Sequence, residues 1–88
     1  MKKDYPKGVL EIRDSGPRKF ADRYCVVYED YEGSYRSSVS MSADPFWPQG
    51  ICQHGAATPG IHLGRLIRFA ELPTDCQKVV HRDLGNTD

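Results

Sequence analysis

The sequence predicts an α+β domain, an antiparallel sheet of three or four strands with one C-terminal helix packed across one face. Three observations predict it. Phe20 to Asp30 and Tyr35 to Met41 both alternate with period two and are separated by turn residues. Helical spacing takes over only after Leu72, where Leu72, Cys76, Val79, Val80 and Leu84 recur on one face. At 88 residues, 39 % of them hydrophobic, the chain supports one packed core and buries about 60 to 65 % of its open-chain surface on folding.

The elements follow in order within a single domain, 1–88. After a flexible polar lead, Met1 to Lys7, the segment Val9-Leu-Glu-Ile-Arg13 has the β-branched content of a short strand, which Asp14-Ser-Gly-Pro17 breaks. Strand two, Phe20 to Asp30, is expected to be the spine of the sheet. Its Tyr24, Val26 and Tyr28 lie on one face and Cys25 and Val27 on the other, so both faces are covered. Asp30 to Ser34 supplies a turn with Gly33 at positive φ, and strand three is Tyr35 to Met41.

Ala43 to Gly60 holds three prolines, three glycines and no usable period, so it is expected to be a long loop. Loops of that length in compact domains are often functional or mobile. Trp47 and Phe46 sit in it, either as an anchor under the loop or on display to a partner. Solubility argues for the anchor, a binding role for display. Ile61 to Phe69 reads as the last strand, with Ile67 and Phe69 facing the core and Gly64 marking a bulge or a close backbone approach. Leu72-Pro73 opens the helix with Pro at its first position, His81 and Arg82 complement the dipole at its far end, and Gly85 stops it.

Charge and cysteine content narrow the function. Lys and Arg number 12 and so do Asp and Glu, which leaves no net field to steer the chain toward nucleic acid or an anionic membrane. The longest apolar run, Cys25 to Tyr28, is far too short to span a bilayer, which takes about 20 residues. Three cysteines and no apolar stretch after Met1 argue for a reducing, cytoplasmic setting.

Cys52-Gln-His54, with His62, Cys25, Cys76 and His81 elsewhere, lacks the Cys-x₂₋₄-Cys or His-x₃₋₅-His spacing of a zinc site, so no metal and no cofactor are expected. Cys25 and Cys76 fall at core-facing positions. A nucleophile and base drawn from Cys52, His54 and Asp44 would require the loop to curl, and no known catalytic motif is present, so no catalytic residue is assigned. An alternative function is nucleic-acid binding, with Tyr24 and Tyr28 stacking bases between Arg23 and Arg36. Against it, the same tyrosines serve as core with hydroxyls at the edge, and Glu29-Asp-Tyr-Glu32 is acidic.

Three blocks, Arg23 to Tyr28, Asp44-Pro-Phe-Trp-Pro-Gln-Gly-Ile-Cys-Gln-His54, and His62-Leu-Gly-Arg-Leu-Ile-Arg-Phe-Ala-Glu-Leu-Pro-Thr-Asp-Cys-Gln77, resemble a group of small bacteriophage and prophage proteins. The third is the most distinctive, with Leu-Gly-Arg-x-Ile-x-Phe running into x-Leu-Pro-x-x-x-Gln. The group has no established activity, and therefore no functional residues to carry over. The resemblance implies an accessory protein in the cytoplasm of a bacterial host that binds a host protein without catalysis and inhibits it, an antiviral-defence factor being one such target.

The expected contact surface is Phe46, Trp47, Gln49, Gln53 and His54, with Arg65 and Arg68 adding charge complementarity. A homodimer is also open to the chain, through an exposed edge of strand one or strand three.

Overall fold

The computed structural model describes residues 5–16 and 23–85. Within them the chain forms β1 (Val9–Asp14), β2 (Tyr24–Glu32), β3 (Tyr35–Met41), β4 (Cys52–Ala57), β5 (Arg65–Leu66) and α1 (Thr74–Asp83), with single 3₁₀ turns at Ile61–Leu63 and Phe69–Glu71. The α+β class is as expected, but the sheet has five strands, ordered β4-β3-β2-β1-β5 and antiparallel throughout. Of the segment expected as strand two, Phe20 to Asp22 lies outside the described residues.

β2 is the spine because its first five residues are buried on both faces. It runs into β3 through Gly33-Ser34, where Gly33 takes φ 67° as the first central residue of a two-residue hairpin turn. Tyr24, Val26 and Tyr28 meet Ile12 and Val9 of β1 and Val39 and Met41 of β3 under Leu72, Cys76, Val79 and Val80. That layer is the hydrophobic core. Tyr5, assigned by sequence to the flexible lead, belongs to it. It packs on the core, donates its hydroxyl to the Ile67 carbonyl (2.7 Å) and accepts the Ile12 N–H (3.2 Å).

Three expectations need correction. First, Ala43 to Gly60 is not all loop. Cys52–Ala57 pairs along β3 without a register shift, so strand three is internal, as is strand one, and the open edges belong to β4 and β5. Second, Ile61 to Phe69 is not one strand. Gly60 (φ 152°) and Gly64 (φ 118°) bracket a 3₁₀ turn, and only Arg65–Leu66 pairs, with β1. Third, Pro73 stands just outside the helix as its N-cap residue, and Thr74 begins it. The close approach expected at Gly64 is real, since a methyl group there would lie 2.5 Å from the Asp14 carbonyl oxygen.

The broken last strand has a topological cause. β4 is at one edge of the sheet and β5 at the other, so the chain between them must cross a face. It crosses the one opposite α1, where the Gly60 N–H donates to Glu11 Oε2 (2.9 Å) and Arg13 Nη1 donates to the Gly64 carbonyl (3.3 Å). After β5, the Phe69–Glu71 turn lifts the chain to the helix side, with the Arg68 N–H donating to Glu71 Oε2 (2.9 Å). Gln77 Nε2 then donates to the Leu72 and Phe69 carbonyls and fixes the entry of α1. Gly85, at φ 81°, ends the helix with its N–H donating to the Arg82 carbonyl.

Candidate functional site

Between β3 and β4 the chain makes two successive tight turns. The Trp47 N–H donates to the Asp44 carbonyl (3.2 Å) and the Gly50 N–H to the Trp47 carbonyl (2.8 Å). The base is closed by the Ser42 N–H on the Ile51 carbonyl (3.0 Å) and by the Ile51 N–H on Ser42 Oγ (3.1 Å). Pro45 is buried, and the Cys76 thiol donates from the helix to the Ser42 carbonyl (3.2 Å). The loop is thus held from both ends and from above. On it, Phe46 is 49 % exposed and Trp47 61 % exposed. Trp47 is therefore on display, not an anchor.

Beside this corner, β4 and α1 meet through a polar cluster. His54 Nε2 lies 2.9 Å from both carboxylate oxygens of Asp83, and the Tyr28 hydroxyl donates to Asp83 Oδ2 at 2.6 Å. Burial and the Asp83 carboxylate together hold the Tyr28 phenol far above its usual pKa. A cleft of about 330 Å³ opens on one side, lined by Phe46, Cys52, His54, Val79, Arg82 and Asp83. The Arg82 guanidinium sits 5.9 Å from the centre of the Phe46 ring. A second cleft of about 290 Å³, with Asp30, Glu32 and Ser37 in its wall, shares His54 and Asp83 with the first.

The expected contact residues do not form one patch. Phe46 and His54 share a cleft, and Trp47 and Gln49 are exposed on the same pair of turns as Phe46. Gln53 stands opposite Ser40 and so projects from the other face of β4. Arg65 is at the far edge of the sheet, where it lies 3.6 Å from Asp14 and 3.7 Å from Glu71, and Arg68 is two residues beyond that edge strand. Asp83 and Arg82 do belong to the cluster, and Asp83 was readable. Cys76, Val79, Val80 and position 83 share a helix face, so the apolar stripe runs into a carboxylate that needs a partner.

Cys52 and His54 do face the same way, and no curling of the chain is needed. Residues two apart on a strand point to one side, and both line the cleft under α1. Burial and the Asp83 charge push the Cys52 thiol up, which lowers its thiolate fraction, while Asp83 holds the His54 ring through Nε2. Among the described residues no group of three or more His, Cys, Asp and Glu side chains is placed to hold a metal ion.

Thiol reactivity checks this arrangement. None of the cysteines is in a disulfide, and Cys52 alone is exposed, while burial pushes the Cys76 thiol up to about 12. Iodoacetamide at pH 8 is expected to label Cys52 only in the native protein, more slowly than free cysteine, and all three after denaturation. Mass spectrometry reads the adducts, and native labelling of Cys76 would contradict the packing of α1.

Tyr24 and Tyr28, the pair assigned to base stacking, are core residues beneath α1. Arg23 is bound by Asp14, and Arg36 donates to the Glu29 carbonyl and lies over the Tyr31 ring. No helix among the described residues is long and apolar enough to cross a membrane. No protein-family model matches the chain, no curated protein matches it, and no solved structure matches it.

Proposed function

We propose that the chain is a non-catalytic protein-binding domain whose contact surface is the Phe46–Trp47 corner with His54 and Arg82 beside it. One observation carries this. Two large aromatic rings stand exposed on a loop whose backbone is already fixed by hydrogen bonds at both turns and at its base. A preformed loop loses little conformational entropy on association, and tryptophan and arginine are the side chains that most often dominate interface energies. The resemblance of three sequence blocks to small phage and prophage proteins supports a host protein as the partner, inhibited by occlusion of its surface.

The test is affinity capture from bacterial lysate with and without nuclease, followed by calorimetry on the purified partner. The Phe46→Ala/Trp47→Ala variant is expected to bind at least about tenfold more weakly, as loss of a dominant contact implies. Its melting temperature should fall little, because both rings are exposed in the free domain. Unchanged affinity, or capture abolished by nuclease, would remove the basis of this reading.

A further inference from the structure

The two edges of the sheet are treated differently. β5 is two residues long and carries Arg65, and a short strand and a charged side chain are ordinary ways of keeping an edge from pairing. β4 has none of them. Its six residues, Cys-Gln-His-Gly-Ala-Ala, include no Lys, Arg, Asp, Glu or Pro, pair with β3 without a bulge, and are exposed up to Ala57. Among the described residues, no strand lies on its outer side.

The ladder also fixes which backbone groups face outwards. The Ser42 N–H bonds to the Ile51 carbonyl, in the same register that pairs Ser40 with Gln53 and Ser38 with Gly55. Hydrogen-bonded and non-bonded pairs alternate in an antiparallel ladder, so Gln53, Gly55 and Ala57 turn their N–H and C=O groups to β3. Those of Cys52, His54 and Ala56 point to solvent. An incoming strand must therefore engage these three, and a one-residue slip is forbidden because it would present the wrong groups.

We infer that β4 pairs antiparallel with β4 of a second copy of this chain, about a twofold axis through Gly55. In that register His54 exchanges both backbone hydrogen bonds with the partner's Ala56, and the reverse pair does the same. Side chains fit large against small on both faces, His54 beside the partner's Ala56 and Gln53 beside the partner's Ala57. Gly55 meets its own mate at the axis in a non-hydrogen-bonded pair, where the backbones approach most closely. Moving the axis to His54 would instead set two imidazoles, each with its Asp83, directly against one another. The capped β5 edge closes the assembly at two copies, and the pairing leaves the Phe46–Trp47 corner of each copy outside the shared strand. This inference is independent of the partner-binding role.

Site-directed cross-linking tests the register. A methylene at Gly55 meets no atom within 4 Å and the residue has no positive φ, so Gly55→Cys is accommodated. In a Cys52→Ser background, mild oxidation should join Gly55→Cys into a covalent dimer, because directly opposed strand positions fall within disulfide reach. Gln53→Cys on the same face of the same strand should link at least about tenfold more slowly, its mate being four positions away in this pairing. Ala56→Pro removes an N–H that only the dimer uses. It should raise the dimer dissociation constant about tenfold or more in sedimentation equilibrium, with an unchanged circular dichroism spectrum. The inference is overturned if the wild-type chain sediments as a monomer at about 100 μM, if both cysteine positions cross-link equally, or if the folded proline variant remains dimeric.

Discussion

Replacing Gly50 with alanine is expected to destabilise the domain by about 2 to 4 kcal/mol and to unseat the aromatic corner. The added methyl would sit 2.1 Å from the Asp44 carbonyl oxygen and 3.0 Å from Ser42 Oγ. Neither neighbour can swing aside cheaply. The Asp44 carbonyl accepts the Trp47 N–H, and Ser42 Oγ accepts the Ile51 N–H, so relief of the clash breaks the bonds that shape the loop. Overpacking costs about 1 to 3 kcal/mol, and each lost hydrogen bond about 0.5 to 1.5. For a domain of this size, each kcal/mol is worth about 4 to 8 °C in Tm.

Gly55→Ala is the control, since a methyl group there would have no atom within 4 Å of it; its effect should stay within about 0.5 kcal/mol. Urea denaturation followed by fluorescence of Trp47, the only tryptophan, reads both variants. Equal midpoints for the two would mean that the loop is not constrained at Gly50. If the corner is the contact surface, Gly50→Ala also weakens partner binding although it removes no contact residue.

What the sequence made legible follows burial. β1, the described part of β2, β3 and α1 all place apolar side chains in the core, and the periodicity of each locates it to within a few residues. β4 escapes that signal. Cys-Gln-His-Gly-Ala-Ala has no β-branched residue and no apolar alternation, and the strand is held by its ladder to β3 and not by a buried face. β5 is shorter than its sequence suggests because Ile61-His-Leu-Gly-Arg-Leu-Ile resembles a strand locally, while the need to cross from one sheet edge to the other bends it. Phe46, Trp47 and His54 stand out by residue type and do gather at one end of β4. Arg65 and Arg68 are tied to them only through the expected last strand, which the structure puts at the opposite edge.

Replacing Asp14 with alanine is expected to cost about 2 to 3 kcal/mol at pH 7 and much less in acid. Its carboxylate is buried at the end of β1, where β2 and β5 both attach through the pairs Asp14–Tyr24 and Asp14–Arg65. It accepts Arg23 Nε (2.7 Å), Arg23 Nη2 (3.0 Å) and the Gly16 N–H (2.8 Å). Hydrogen bonds to a charged group contribute about 1.5 to 3 kcal/mol each, and the part-exposed guanidinium holds the total to about that of a single such bond.

The Arg23 guanidinium lowers the Asp14 pKa, burial opposes this, and the Gly16 N–H adds to the lowering. A carboxyl group depressed in the folded state contributes its full stabilisation above the unfolded pKa, about 3.9, and loses it as the pH falls through the folded value. Wild-type stability should therefore decline from about pH 5 downward, and Asp14→Asn should flatten that decline while keeping an acceptor for the Gly16 N–H. Urea midpoints at pH 7, 5 and 3 measure it. Parallel pH profiles for the wild type and Asp14→Asn would show that the acid sensitivity arises at another carboxylate, and that the junction of β1, β2 and β5 holds together without this charge.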